Sequence, residues 1–447
     1  MTRRALANRK PDLGVMTEAL PLLVDDHVGV VHQVQEVPTE PGSPNFFHYA
    51  AKACNTSAFA GQVNFSNTGG ASTHRPVAVA KAVGEAVERY CAALYQAQDL
   101  PLCSYREADF ACVHPGDFAL HSADQYDSPG FPWVPFTEDT PIRWTPAQDL
   151  GSGETLHVPA AFVWIPYHYR QGTGDSPIGQ PISTGLACHG SFAQAALSGL
   201  CEAIERDAFT IMWQARLAMP QIRVETLSDD NYDLVQRFER TGDRVVLLDI
   251  TLDAGVPTVL SVLCSDAAAR PAYVFAASAD PDPERAVQKA LEELAHTRRY
   301  SQQIKRNLPP VVADDDYEQV QTQLDHLNFA GDPANRDHFE FVFASRERVE
   351  FDDLPNLAGV TPERTLTALV ERIQSTGHRA LVADLTSPDI RHLGLTVARS
   401  LVPGYHPLYM GHRLRALGGR RLWEVPQRLG REQPQPGGSN PAPHPYP

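Results

Sequence analysis

The sequence predicts an α+β protein: one large domain containing an internally duplicated strand and helix unit, closed by an extended proline-rich C-terminal tail. Three observations carry that expectation. The phrase KAVGEAVERYCA at residues 81–92 returns as SGLCEAIERDAF at residues 198–209, so E-x-x-E-R occurs twice, 117 residues apart from Glu85 to Glu202. Runs rich in β-branched residues alternate with stretches of helical periodicity along the chain. The closing segment REQPQPGGSNPAPHPYP is too poor in apolar residues to fold alone. A spacing of 117 residues is too long for a solenoid repeat and fits a duplicated unit inside one fold.

Taken in order, residues 1–15 read as a flexible tail, 16–430 as the folded domain and 431–447 as the proline-rich tail. LPLLVDDHVGVVHQVQEV predicts strand, Asp-rich turn, strand. SNTGGAST reads as a glycine turn leading into a helix from Pro76 to Tyr95, with Pro76 suited to a first helical turn. Residues 100–185 are rich in Pro, Asp and short apolar runs, which predicts short strands joined by turns and no long helix. GQPISTGLACHGSFAQ then repeats the earlier order, a polar glycine-rich turn followed by a helix. RVVLLDITLDAGVPTVLSVLCSD and PAYVFAASAD read as strands, and PERAVQKALEELAHTRRYSQQI as a third helix. A Pro- and Asp-rich excursion at 305–335 precedes the helix ERTLTALVERIQSTG and the strand ALVADLT.

At 447 residues with 43% hydrophobic side chains, the chain has ample material for a core. Its formal charge of −16 argues against a general nucleic-acid or anionic-membrane binder, which needs a basic excess. The apolar run from Ala19 to Val31 is broken by Pro21, Asp25 and Asp26, so neither a signal-peptide core nor a membrane span is expected, and the cytoplasm is the expected compartment. Seven scattered cysteines without a C-x-x-C pair predict neither disulfides nor structural zinc. Cys91 and Cys201 sit in the repeated helices, where cysteine serves most often as a small apolar filler.

On a helix, positions i and i+3 share a face, so Glu85 with Glu88, and Glu202 with Glu205, each form a two-carboxylate claw beside Arg89 or Arg206. A single copy reads as a solvated salt-bridge ladder. Two copies with the same upstream glycine phrase point to ligands, because four carboxylates held close need cations to neutralise them. Mg²⁺ takes oxygen ligands from a few carboxylates and completes its shell with water and phosphate. Arginine forks suit phosphate oxygens, so the set spells a nucleotide triphosphate site. No G-x-x-x-x-G-K-[ST] or strand-to-helix G-x-G-x-x-G is present, which disfavours a Walker or Rossmann site. Burial decides between ladder and ligand.

Read together, the two motifs resemble the YcaO family of ATP-dependent peptide-modifying enzymes. The resemblance takes in LVDDHVGVV, STGLACHGSFAQAALSGLCEAIERDAF, ASADPDPERAVQKALEELAHTR and DLTSPDIRHLGLTVARSLVPGYHPL, covering about residues 18–430. It implies that Glu85, Glu88, Glu202 and Glu205 hold Mg²⁺ and that Arg206 touches ATP phosphates, with Arg89, Glu293 and Ser72 as further cofactor contacts. Some positions depart from the family pattern. Ser183-Thr184-Gly185 stands where Ser-Asn-Gly is usual, Gln194 replaces an acidic residue, His296 replaces a glutamine, and Gly70-Ala71-Ser72 lacks the lysine of a G-K-G-like turn.

The alternating prolines of PAPHPYP resemble the azoline-forming branch, in which the chain terminus lies near the nucleotide. That resemblance implies cyclodehydration of Cys, Ser or Thr in a ribosomal precursor peptide, with ATP and Mg²⁺ as cofactors, and makes the Pro447 carboxylate, with Arg206, the catalytic expectation. It also implies a separate leader-binding partner resembling ubiquitin-activating enzymes, a flavin-dependent azoline dehydrogenase downstream, and a homodimer. Two other readings keep the same residues: thioamide or amidine formation, and a scaffold that binds peptide or nucleotide without chemistry.

Overall fold

The computed structural model describes residues 12–170, 172–311, 317–431 and 439–447. The expected flexible segment 1–15 therefore lies mostly outside the described residues, as do parts of the 305–335 excursion and of the tail. The first element is a helix, α1 (Gly14–Leu23), where a strand was expected. Met16, Ala19 and Leu23 recur at helical spacing and are buried, and that periodicity outweighs the break at Pro21 near the helix end. Only the second predicted strand of this stretch forms, as β1 (Val31–Val37).

Three sheets make up the frame. In the first, β1 pairs antiparallel with β2 (Phe47–Ala53), which pairs with β3 (Asn67–Ser72). The second contains β4 (Leu102–Cys103), β5 (Ile142–Asp149), β13 (Leu381–Asp384), β14 (Thr396–Leu401) and β7 (Leu186–His189) in that order, with β6 (Thr155–Pro159) on β5. The third runs β11 (Tyr273–Ala279), β10 (Thr258–Cys264), β9 (Arg244–Asp249), β8 (Gln221–Ile222) and β12 (Arg348–Val349). Its β12–β8 pair is parallel.

The shorter helices are α2 (Ser57–Ala60), α4 (Ala123–Tyr126), α6 (Asp229–Glu239), α8 (Gln323–Gly331), α10 (Pro388–His392) and α11 (Arg421–Arg428). The four longer ones are α3 (Arg75–Ala92), α5 (Phe192–Gln214), α7 (Pro283–Asn307) and α9 (Pro362–Ser375). Three of these bridge the sheets in a ring. α3 packs on β2, β3 and β7; α5 packs on β7, β14 and β11; α7 packs on β10, β11 and β3. Each helix thus buries one flank against each of two sheets, and the inner faces of all three turn toward a common space.

The duplication is visible as strand then helix, β3 to α3 and β7 to α5. This corrects the reading of the first glycine-rich phrase as a turn, since Gly69 and Gly70 lie within β3, whereas in the second Thr184 and Gly185 do turn before β7. A Cβ on Gly70 would stand 2.5 Å from the Ala78 carbonyl oxygen and 2.6 Å from Lys81 Cβ, so glycine is there to let α3 lie close on the strand. The second copy repeats the device at Gly199, whose Cβ would meet the Gly185 carbonyl at 2.3 Å.

The chain end is packed rather than loose. Asn440 donates its side-chain amide to the Trp213 carbonyl and its backbone N–H to that of Gln214, while Trp213 Nε1 donates to the Ala442 carbonyl. His444 stacks on His326 with ring centroids 3.8 Å apart, and Tyr446 lies 4.4 Å from the Phe209 ring. Residues 439–447 therefore follow the C-terminal half of α5 back toward its middle.

Candidate functional site

The inner faces of α3, α5 and α7 line a cavity of about 800 Å³. Both E-x-x-E-R sets face into it, together with Gln194, Glu293, His296, Thr184 and the terminal Tyr446 and Pro447. The two motif helices do not rest on each other; both pack on β7. That strand holds the claws facing one another across open space.

On α3, Glu85 accepts from the Gly69 N–H at 3.2 Å and from Arg89 Nη2 at 3.1 Å. Glu88 accepts from the Cys188 N–H of β7 at 2.8 Å, and among the described residues no lysine or arginine lies within ion-pair distance of it. Burial pushes its carboxyl well above the usual range, and the neighbouring charges of Glu85 and Glu202 push it further. On α5, Glu202 lies 3.5 Å from Arg206 Nη2, a weak pairing. Burial and Glu202 raise Glu205 as well, although Tyr446 donates its hydroxyl to Glu205 Oε1.

Arg206 is held on several sides. Its guanidinium lies 4.5 Å from the Tyr446 ring centroid, and Nη1 donates to the Pro447 carbonyl oxygen at 3.3 Å. Nε stands 3.5 Å from Glu205 Oε1 as an ion pair without hydrogen-bond alignment. Burial works against the charged form, yet Tyr446 and the surrounding carboxylates prevail and raise the pKa.

Several residues around the cavity escaped the sequence reading. Lys81 bridges Glu292 at 2.9 Å and Glu293 at 3.2 Å, joining α3 to α7. It stands four residues before Glu85, so its place on the claw face was available from helical spacing. Glu293 is lowered overall because Lys81 and His296 outweigh its burial. Ser72, expected to contact the cofactor, instead donates its hydroxyl to the buried Glu292 at 2.8 Å and does not line the cavity. Tyr446 had no signal beyond its place in the tail. Cys91 and Cys201 are buried, and burial raises both thiols, Cys91 to about 11.

The donor set fits Mg²⁺. Glu88 and Glu202 are the poorly neutralised carboxylates, one on each motif helix, and their mutual repulsion is what a divalent cation relieves. Among the described residues no three His, Cys, Asp or Glu side chains are gathered as a ready cage. Mg²⁺ asks for none, since one or two carboxylates plus phosphate and water complete its shell.

Carboxylate claws facing one another across the cavity, with a buried arginine at its wall, suit a phosphorylated ligand held with a divalent metal. The chain belongs to the YcaO cyclodehydratase family, ATP- and Mg²⁺-binding, whose model matches residues 69–406. An uncharacterized protein of Methanothermobacter thermautotrophicus is 28% identical over 286 residues, which is 62% of this chain and 70% of that one. An uncharacterized protein in the tfuA 3' region of Rhizobium leguminosarum bv. trifolii is 34% identical over 169 residues, 35% of this chain and 39% of that one. Among solved structures, a heterocyclase in complex with substrate and cofactor superposes with a TM-score of 0.79 at 22% identity, covering 100% of this chain and 59% of that one. YcaO from Methanopyrus kandleri, bound with AMPPCP and Mg²⁺, gives 0.59 at 22% identity, covering 83% and 86%. These likenesses establish the fold, and the family match makes the protein an ATP-dependent enzyme. No helix among the described residues is long and apolar enough to cross a membrane.

Proposed function

We propose that this enzyme cyclodehydrates Cys, Ser or Thr residues of a ribosomally made precursor peptide to thiazolines or (methyl)oxazolines at the expense of ATP. The observation that carries the reading is the pair of carboxylate claws facing across one cavity, with Arg206 and the chain end at its edge. The side-chain sulfur or oxygen bonds to the preceding amide carbon. The amide oxygen accepts the γ-phosphoryl group and leaves as phosphate, so one water is lost per ring. One proton leaves the attacking side chain and one the amide nitrogen.

Glu85, Glu88, Glu202 and Glu205 would hold Mg²⁺, which when bound offsets charge on the transferring phosphoryl group. Arg206, held by Tyr446 and Pro447 at the cavity wall, would offer its guanidinium to phosphate oxygens. The Pro447 carboxylate would accept the proton, and its contact with Arg206 fixes its position. Gln194, Thr184, Glu293, His296 and Arg89 would supply the remaining nucleotide contacts from the cavity walls. A leader-binding partner protein would present the peptide.

Mass spectrometry of a precursor peptide incubated with the protein, a leader-binding partner, Mg²⁺ and ATP tests the reading. The expected result is loss of one water per modified residue, only with ATP, matched by ADP and phosphate. ATP turnover with an unchanged peptide mass would overturn it.

A further inference from the structure

A second, much smaller cavity of about 80 Å³ lies beside the first. Ile182, Thr184 and Leu408 line both spaces, so a single layer of side chains separates them. No Asp, Glu or Lys lines the smaller one, whereas Arg399, His121 and His406 do. All three are more than nine-tenths buried, at 2%, 8% and 1% exposure. Arg399 donates Nε to the Phe162 carbonyl at 3.0 Å and Nη2 to that of Ile182, which fixes the guanidinium and leaves Nη1 without a partner. Among the described residues no carboxylate pairs with it, and burial pulls its pKa down to about 9. Both ring nitrogens of His121 and of His406 are likewise buried without a hydrogen-bond partner.

Apart from Thr184, the other polar side chains of the walls are spent on the protein itself. Ser400 donates to the Ala196 carbonyl at 3.1 Å, and the Tyr405 hydroxyl pairs with Thr376 at 3.2 Å. The Tyr409 hydroxyl accepts from Gln214, and Gln180 exchanges two hydrogen bonds with the Met410 backbone. What remains is a space with donors left over and no carboxylate to meet them. A buried cation without a counter-ion and buried N–H groups without acceptors both cost stability. One ligand that brings negative charge and several acceptors relieves both.

We propose that this pocket is a binding site for a small tetrahedral oxyanion of the orthophosphate class, held by Arg399 Nη1 and by the imidazoles of His121 and His406. His121 precedes α4 and His406 follows β14, so the donors reach the space from separate segments. Burial holds both imidazoles near 4 and hence neutral, so each offers one N–H and the arginine carries the charge. The volume equals that of a few waters, room for one such anion and far too little for a nucleotide.

Equilibrium dialysis of the full chain against radiolabelled orthophosphate, with AMPPCP and Mg²⁺ in excess to fill the main cavity, tests this. The wild type should hold one phosphate per chain, displaced by excess unlabelled phosphate. His121→Phe removes a donor without touching the claws and should weaken binding by about tenfold or more, with AMPPCP affinity in titration calorimetry unchanged. Arg399→Gln should abolish phosphate binding. Because Arg399 also fastens the Phe162 and Ile182 carbonyls, His406→Phe takes its place if that variant does not fold. No phosphate retained by the wild type, phosphate retained only when AMPPCP is left out, or retention undiminished in the variants would each overturn the site.

Discussion

Glu88 concentrates the electrostatic problem of the site. It is buried, faces Glu85 and Glu202, and accepts one backbone N–H. Because its folded pKa is raised, the folded state holds this proton more tightly than the unfolded chain, and stability from this group is lost as pH rises through the folded value. Glu88→Gln should therefore leave the metal-free protein at least as stable, while Mg²⁺-dependent nucleotide affinity falls by about 10- to 100-fold or more; thermal melting and isothermal titration would read the two effects separately. In the wild type, binding of Mg²⁺ and nucleotide should release a proton below that raised pKa, seen as buffer-dependent binding heats. At the opposite edge of the cavity, one glycine appended after Pro447 would move the carboxylate away from Arg206. Ring formation should drop by about 100-fold or more with ATP binding retained, and full ring formation in the extended protein would remove Pro447 from the chemistry. The four glutamates and two arginines were legible because helix geometry alone places i, i+3 and i+4 on one face. The partner of Ser72 was not, since Glu292 lies 220 residues away in sequence.

At the level of elements, α5 is the axis on which the site depends, being buried along most of its length. Next to Arg206, Asp207 meets Arg421 of α11 at 2.7 Å, and the same guanidinium reaches Asp253 at 2.7 Å while lying 4.1 Å from the Tyr405 ring centroid. This network fixes the last helix before the tail against the helix that carries the second claw. Arg421→Met should cost about 3–5 kcal/mol in urea unfolding, because it leaves buried Asp207 without its cation, whereas Asp253 keeps Arg428 at 3.2 Å. Adding Asp207→Asn should recover part of that loss. The expected helices α3, α7 and α9 formed close to their predicted limits, and α5 formed where a helix was expected after the second glycine-rich phrase. The first glycine-rich phrase was misread because glycine marks a turn and a close approach of backbones with the same letter, and only the position of α3 over β3 distinguishes them.

For the whole molecule, the three sheets and the helices that bridge them form a closed ring, and charge inside it is expensive. Burial lowers the imidazoles of His48, His121, His189, His326 and His406 to about 4. These groups are neutral in the fold and take up protons in the unfolded chain between their ordinary value near 6.5 and about 4. Stability from them is full above the unfolded value and is lost as pH falls through that window. The raised carboxyls of Glu88, Asp175, Glu205, Asp249 and Glu284 act in the opposite sense, and they are outnumbered once the lowered His378, His412 and His444 join these five imidazoles. The melting temperature should fall steadily from about pH 7 to about pH 5, and a flat or rising profile in calorimetry would contradict this. His444 belongs to the same set, pushed well below its usual value, so acid should free the tail early. The chain dictates locally that two helices each carry a carboxylate claw and that the terminus is stiff, because spacing along a helix and proline's fixed backbone are properties of short stretches. The assembled fold decides that the claws face each other, that Lys81 spans to α7 and that Tyr446 reaches Glu205. Each of those depends on contacts between segments brought together by sheets β1–β3, β4–β14 and β8–β12, whose pairing no local stretch encodes.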